Sequence, residues 1–136
     1  MSDIVNSRVL ENGSKRYVIK LTNESDGTGE TKVKKVDLTD LTLEDGANPT
    51  SVAIESIEYS VAGFNYVTLY WDRDTDQVAE VLFGVGGFDY TKWGGLHDPE
   101  KDEALGPNST GDILLSTDAP ADGDSYNIIL SLRLER

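Results

Sequence analysis

Asp72, Asp74 and Asp76 stand at alternate positions, the D-x-D-x-D spacing with which a calcium-binding loop begins. An EF-hand continues with glycine at its sixth position and glutamate at its twelfth, where this chain has Gln77 and Phe83. In a tight turn between two strands, alternating aspartates are more often simply turn formers. Asp118, Asp122 and Asp124 make a second acidic turn of the same kind. Transition metals lack ligands, because the chain has one histidine and no cysteine. A serine nucleophile would need His97 as its base. That residue lies beside Asp98 in a glycine-rich stretch, no G-x-S-x-G motif is present, and His97 reads as a surface or interface residue. A glycosidase needs two carboxylates across a sugar, but among 25 acidic residues some pair always qualifies, so the pattern selects none. Gly84 to Gly87 is followed by neither Lys-Ser/Thr nor a helical pattern that would aim a dipole at phosphate. The expectation is a protein with no catalytic residues, metal or cofactor.

The aromatic residues suggest binding instead. Trp71, Trp93, Tyr66 and Tyr70 are the side chains a carbohydrate-binding module would use as stacking platforms, although parity assigns Trp71 to the core. Tyr66 and Tyr70 flank Thr68 on the opposite parity, as expected of an outer sheet face covered by a neighbouring subunit, where aromatic residues are enriched. Asn23-Glu24-Ser25 and Asn108-Ser109-Thr110 match the glycosylation tripeptide, which also arises by chance.

These residues must be held by strands. In 136 residues, 38% of them hydrophobic and 13 of them glycine, there is material for one domain with a two-layer core and many turns. No run of about 18 apolar residues is present, and the start, Met1 to Val5, has neither the basic nor the apolar region of a signal peptide. The net charge of −13 opposes phosphate backbones, so no nucleic acid is expected as partner, and without a long apolar run no membrane is expected either. The absence of cysteine fits folding in a reducing cytosol.

Residues 1–14 read as an extended arm or a short first strand ending in the turn Asn12-Gly13-Ser14. Alternation then marks strands at Arg16–Thr22, Thr31–Leu38, Thr50–Val61, Tyr66–Asp72, Gln77–Val85, Asp112–Thr117 and Ser125–Leu134. Lys34-Lys35 breaks parity, which predicts a bulge or an edge guarded by lysines. The phase slip near Glu55-Ser56 predicts a bend that lets one strand serve two sheets. Gly84, Gly86 and Gly87 are expected to end pairing, with a long excursion from Phe88 to Thr110. In the last strand Tyr126, Ile128, Leu130, Leu132 and Leu134 share one face, and Ile129 on the other predicts cover on both sides. About seven or eight strands with regular turns predict an all-β fold, a β-sandwich or jelly-roll-like domain over residues 15–136.

Five strings, in order, resemble a family of tailed-bacteriophage virion structural proteins. They are S-D-G-T-G-E-T with the following V-K-K-V-D-L (Ser25 to Leu38), L-Y-W-D-R-D-T-D (Leu69 to Asp76), F-D-Y-T-K-W-G-G-L (Phe88 to Leu96), T-G-D-I-L-L-S-T (Thr110 to Thr117) and D-S-Y-N-I-I-L-S-L-R (Asp124 to Arg133). None is a chemical motif; the likeness lies in overall pattern and leaves out the amino-terminal arm. It implies a capsid cement or decoration protein, β-rich and without catalytic activity, assembled in the host cytoplasm. Such a protein binds the major capsid protein on the outer capsid surface of the virion, as a homo-oligomer, often a trimer. On that reading the arm and the segment 86–110 make the contacts, and Phe88, Tyr90, Trp93 and Leu96 are the first interface candidates, with Tyr66 and Tyr70 beside them. The alternatives are a carbohydrate-binding module and a tail or neck component.

Overall fold

Tyr126, Ile128, Leu130, Leu132 and Leu134 alternate down the last strand and all are buried, forming the spine of the core. The computed structural model describes residues 4–49, 51–72, 77–97, 112–118 and 121–135. Its strands are β1 (Ile4–Asn12), β2 (Arg16–Asp26), β3 (Val33–Val36), β4 (Ser51–Ala62), β5 (Val67–Trp71), β6 (Gln77–Leu82), β7 (Val85–Asp89), β8 (Leu96–His97), β9 (Ile113–Thr117) and β10 (Asp122–Glu135). One sheet runs β1-β2-β10-β4-β7, with β8 also on β4; the other runs β3-β9-β5-β6. Every pairing is antiparallel, and the fold is all-β and sandwich-like.

The core lies between the sheets. Tyr17, Ile19 and Leu21 from β2 and Ile54, Ile57 and Val61 from β4 meet Val67, Leu69 and Trp71 from β5 and Ile113 and Leu115 from β9. This is the period-two pattern at work, since one face of each strand leaves water and the other keeps it.

Four local expectations need correction. The slip in β4 is absorbed by a bulge at Glu55: Ser131 pairs with Ser56 and Leu132 with Ile54, so β4 stays in one sheet instead of serving two. The chain does cross between sheets, but at Phe83-Gly84, which separates β6 from β7 within the predicted strand 77–85. Gly86 and Gly87 do not end pairing; they sit opposite Tyr59 and Glu58 in β7. A Cβ on Gly86 would lie 3.0 Å from the Tyr59 hydroxyl, so the missing side chain is what lets that ring lie under the strand. Finally, Ile129 is half buried beside Lys20 and Glu58, its neighbours across the two ladders, and no second layer covers that outward face among the described residues.

The parity break at Lys34-Lys35 is a bulge, with Val36 resuming the ladder opposite Ile113. Lys34 stays at the surface and pairs with Asp112 at 2.9 Å. The hydrogen bond and charge of Asp112 hold its ammonium above the usual lysine range. Lys35 does not guard an edge: its side chain is only 4% exposed and turns inward.

Candidate interaction surfaces

Lys35 meets Glu30, which comes from the connection between β2 and β3. The Lys35 Nζ donates to Glu30 Oε2 at 2.5 Å, while Asn23 Nδ2 and the Tyr126 hydroxyl donate to Glu30 Oε1 at 2.8 and 2.5 Å. The connection is held against β9 by backbone: Glu30 N–H donates to Thr117 Oγ1 and Lys32 N–H to Ser116 Oγ. A buried carboxylate with three donors, one of them a cation, is a satisfied group, and the cluster ties β2, β3 and β10 together. Asn23 lies inside this network, 1% exposed, so the first glycosylation tripeptide is not presented.

The predicted interface residues separate into two sets. Phe88, Tyr90 and Leu96 are half buried and pack against the core. Tyr59, Phe88 and Tyr90 stack in sequence, ring centroids 5.7 and 6.0 Å apart, and the Tyr90 hydroxyl donates to Glu80 on β6. Burial, then the hydrogen bond and charge of Glu80, push the Tyr90 phenol above its ordinary value. Tyr70 is half buried with the Lys32 ammonium 5.2 Å above its ring. Tyr66 and Trp93, by contrast, are exposed.

Trp93 stands 71% exposed on a short 3-10 turn, Thr91–Trp93, between β7 and β8. Asp89 sets that turn by accepting from the Thr91 backbone N–H at 2.9 Å and its hydroxyl at 2.6 Å, which hold the Asp89 carboxyl below its usual range. On the far side Arg133 donates to the Gly94 carbonyl at 2.6 Å. The indole is therefore offered to solvent on a braced support.

Two apolar groups were not expected from the sequence. Phe83 and Val85 flank the crossing between sheets and are exposed, Val85 at 83%. At the opposite edge every residue of β1 is exposed, including Ile4, Val5, Val9 and Leu10. Val81, Phe83 and Val85 alternate as one strand face would, but the strand breaks after Leu82 and leaves the last two bare, whereas β1 lacks strict alternation.

Of the acidic turns, Asp74 and Asp76 lie outside the described residues, as does the segment 98–111 with Asp98 and Asn108. The His97 backbone pairs with Ala53. Asp124 accepts from the Ala121 N–H as a turn former, whereas Asp118 accepts from Asn65 Nδ2 and so ties the end of β9 to the turn before β5. Among the described residues no group of three or more His, Cys, Asp or Glu could hold a metal ion. Among the described residues no helix is long and apolar enough to cross a membrane. Neither a family model nor a curated protein matches the chain.

Proposed function

We propose that this chain is a structural component of a tailed-bacteriophage particle, specifically a cement or decoration protein that seats on the outer capsid lattice and binds the major capsid protein. The observation that carries the reading is apolar surface left bare at both ends of the larger sheet. Ile4, Val5, Val9 and Leu10 line one edge; at the other stand Val85, which begins β7, and Phe83 in the crossing just before it, while Trp93 follows the far end of the same strand. A small rigid body with adhesive strips on opposite edges suits a clamp between neighbours, and the resemblance of the five strings points the same way. On this reading the protein is non-enzymatic and works by burial: each contact is weak, and repetition over a symmetric shell makes it strong. Its net charge of −13 keeps it from nucleic acid.

The test is to mix purified protein with isolated capsids that lack it, then measure co-sedimentation and survival of the shell on heating. Saturable binding with a raised disruption temperature is expected, and Trp93→Ala and Val85→Ser should weaken it. A second reading, a carbohydrate-binding module, draws on Trp93 as a braced, exposed indole. Saturable glycan binding without capsid binding would replace the first reading by this one, and attachment to tails or necks alone would move the protein off the shell.

A further inference from the structure

We propose that the free edge of β1 pairs with β1 of a second copy, antiparallel and centred on Ser7, so that two larger sheets join into one. β1 is hydrogen-bonded to β2 along its whole length, from the Ile4–Glu24 pair to the Asn12–Tyr17 pair. It ends the sheet, and no strand lies on its other side among the described residues. Such an edge is a template for another strand, and proteins ordinarily guard it with charge, proline or a bulge. Between Ile4 and Leu10 the only charge is Arg8 and there is no proline.

The segment itself says which strand fits. Read outward from Ser7, it is Asn6 and Arg8, then Val5 and Val9, then Ile4 and Leu10: polar, apolar, apolar in both directions. Antiparallel pairing about Ser7 sets Val5 against Val9 of the other copy and Ile4 against Leu10, each twice by symmetry. It also sets Arg8 against Asn6. Centring on Arg8 instead would place two guanidinium groups opposite one another and Val5 against Glu11, which cross-strand energetics disfavour. Centring between Ser7 and Arg8 opposes Asn6 to Val9 and Ile4 to Glu11. Only a partner with this same pattern, read backwards, matches it at every rung, and a second copy supplies that partner by symmetry. The bulge at Leu10, where the ladder to β2 shifts between Val9 and Glu11, ends the regular run. Because the contact is the same patch on both copies, it closes as a pair and does not propagate into a fibre.

This deepens the proposed role by giving β1 to self-association and leaving the Phe83, Val85 and Trp93 side for the lattice. It rests on that role only for where the pair would sit. The test needs no capsid: sedimentation of the full purified chain from micromolar to near-millimolar concentration. The expected mass is twice the 14.9 kDa of one chain. Val5→Lys with Val9→Lys places like charges opposite one another and should weaken pairing at least about tenfold. Thermal melting of the dilute variant should match that of the dilute parent, showing that it still folds. Val5→Glu with Val9→Lys then sets a carboxylate against an ammonium twice in the Ser7 register and should restore the pair. A chain that stays monomeric throughout, a trimer, or a Val5→Lys/Val9→Lys variant that associates as the parent does would overturn the proposal. Failure of the variant with opposite charges to recover would overturn the Ser7 register. Loss of capsid binding with pairing intact would count against the decoration role alone.

Discussion

Along the flank where β2 faces β3, the gap between the sheets is spanned by Glu30 with its three donors, Lys35, Asn23 and Tyr126. Along the flank where β6 faces β7, it is spanned by the rings of Tyr59, Phe88 and Tyr90, ending on Glu80. Both devices hold the two sheets together, but they depend on different physics. A buried ion pair contributes little over an apolar replacement and is severe to break from one side, because the remaining charge is stranded. Stacked rings lose stability in proportion to the surface and contacts removed. The flanks should therefore fail differently under mutation, the first through its partner and the second through its volume.

The charged flank gives the largest expected effect. Lys35→Met leaves Glu30 buried without its cation and should cost about 3–5 kcal/mol, read as a lowered urea midpoint. Adding Glu30→Gln should recover most of that loss, since Gln still accepts from Asn23 and Tyr126. A double variant no more stable than Lys35→Met alone would show that the cluster is held by packing, not by charge. On the aromatic flank Phe88→Ala removes a half-buried ring stacked on both sides and should cost about 2 kcal/mol, below the roughly 3–5 of a fully buried phenylalanine. Phe88→Leu should recover about half.

The contrast also marks how far the sequence could be read. The alternation from Tyr126 to Leu134, or from Val67 to Trp71, is a direct record of two-sided strands, and all of its inward residues are buried. Lys34-Lys35 announced a bulge, yet which lysine turned inward depended on Glu30, five residues upstream in a stretch that composition marks only as a turn. Asp26 does form that turn, accepting from the Thr28 N–H, but the glutamate after it ties the sheets together. Phe88, Tyr90 and Leu96 looked like interface anchors because they fall in a predicted glycine-rich loop, where aromatic side chains tend to dominate contacts unless the loop folds them inward. Those glycines instead let the strand lie close enough to β4 for the rings to pack inward. Trp93 and Tyr66 remain exposed as an interface would require. The apolar edge of β1 was hidden because a strand exposed on both faces has no buried parity to display.

Alkaline titration separates the flanks more finely. Tyr90 has its phenol raised, chiefly by burial and then by Glu80, whereas the unfolded phenol ionises near 10.0. Its contribution is therefore fully present below about pH 10 and falls as pH rises toward the folded-state value, where only the unfolded chain has gained charge. Tyr90→Phe should cost about 1 kcal/mol at about pH 8, by loss of the hydrogen bond. The gap from the parent should narrow by about pH 11. Tyr17, raised by burial and by Asp40, titrates in the same sense, so some alkaline destabilisation should persist in the variant. A gap that widens with pH would mean that the Tyr90–Glu80 contact is not made in solution.

The smallest effect belongs outside both flanks. Val9 sits directly across the ladder from Ile19 and is 45% exposed, while Ile19 is in the core at 3%. The two share a rung, but the second sheet covers only the inner one. Val9→Ala removes exposed methyl groups and some strand preference, which together should change stability by no more than about 0.5 kcal/mol. The measurement belongs in dilute solution, where association cannot add to stability by mass action. There β1 amides should also exchange hydrogen faster than those of β2 and β10, because a strand held by one ladder and no packing opens locally before the sandwich does. A loss of about 2 kcal/mol from Val9→Ala, or β1 amides as protected as those of β10, would mean that something already covers this edge within a single copy.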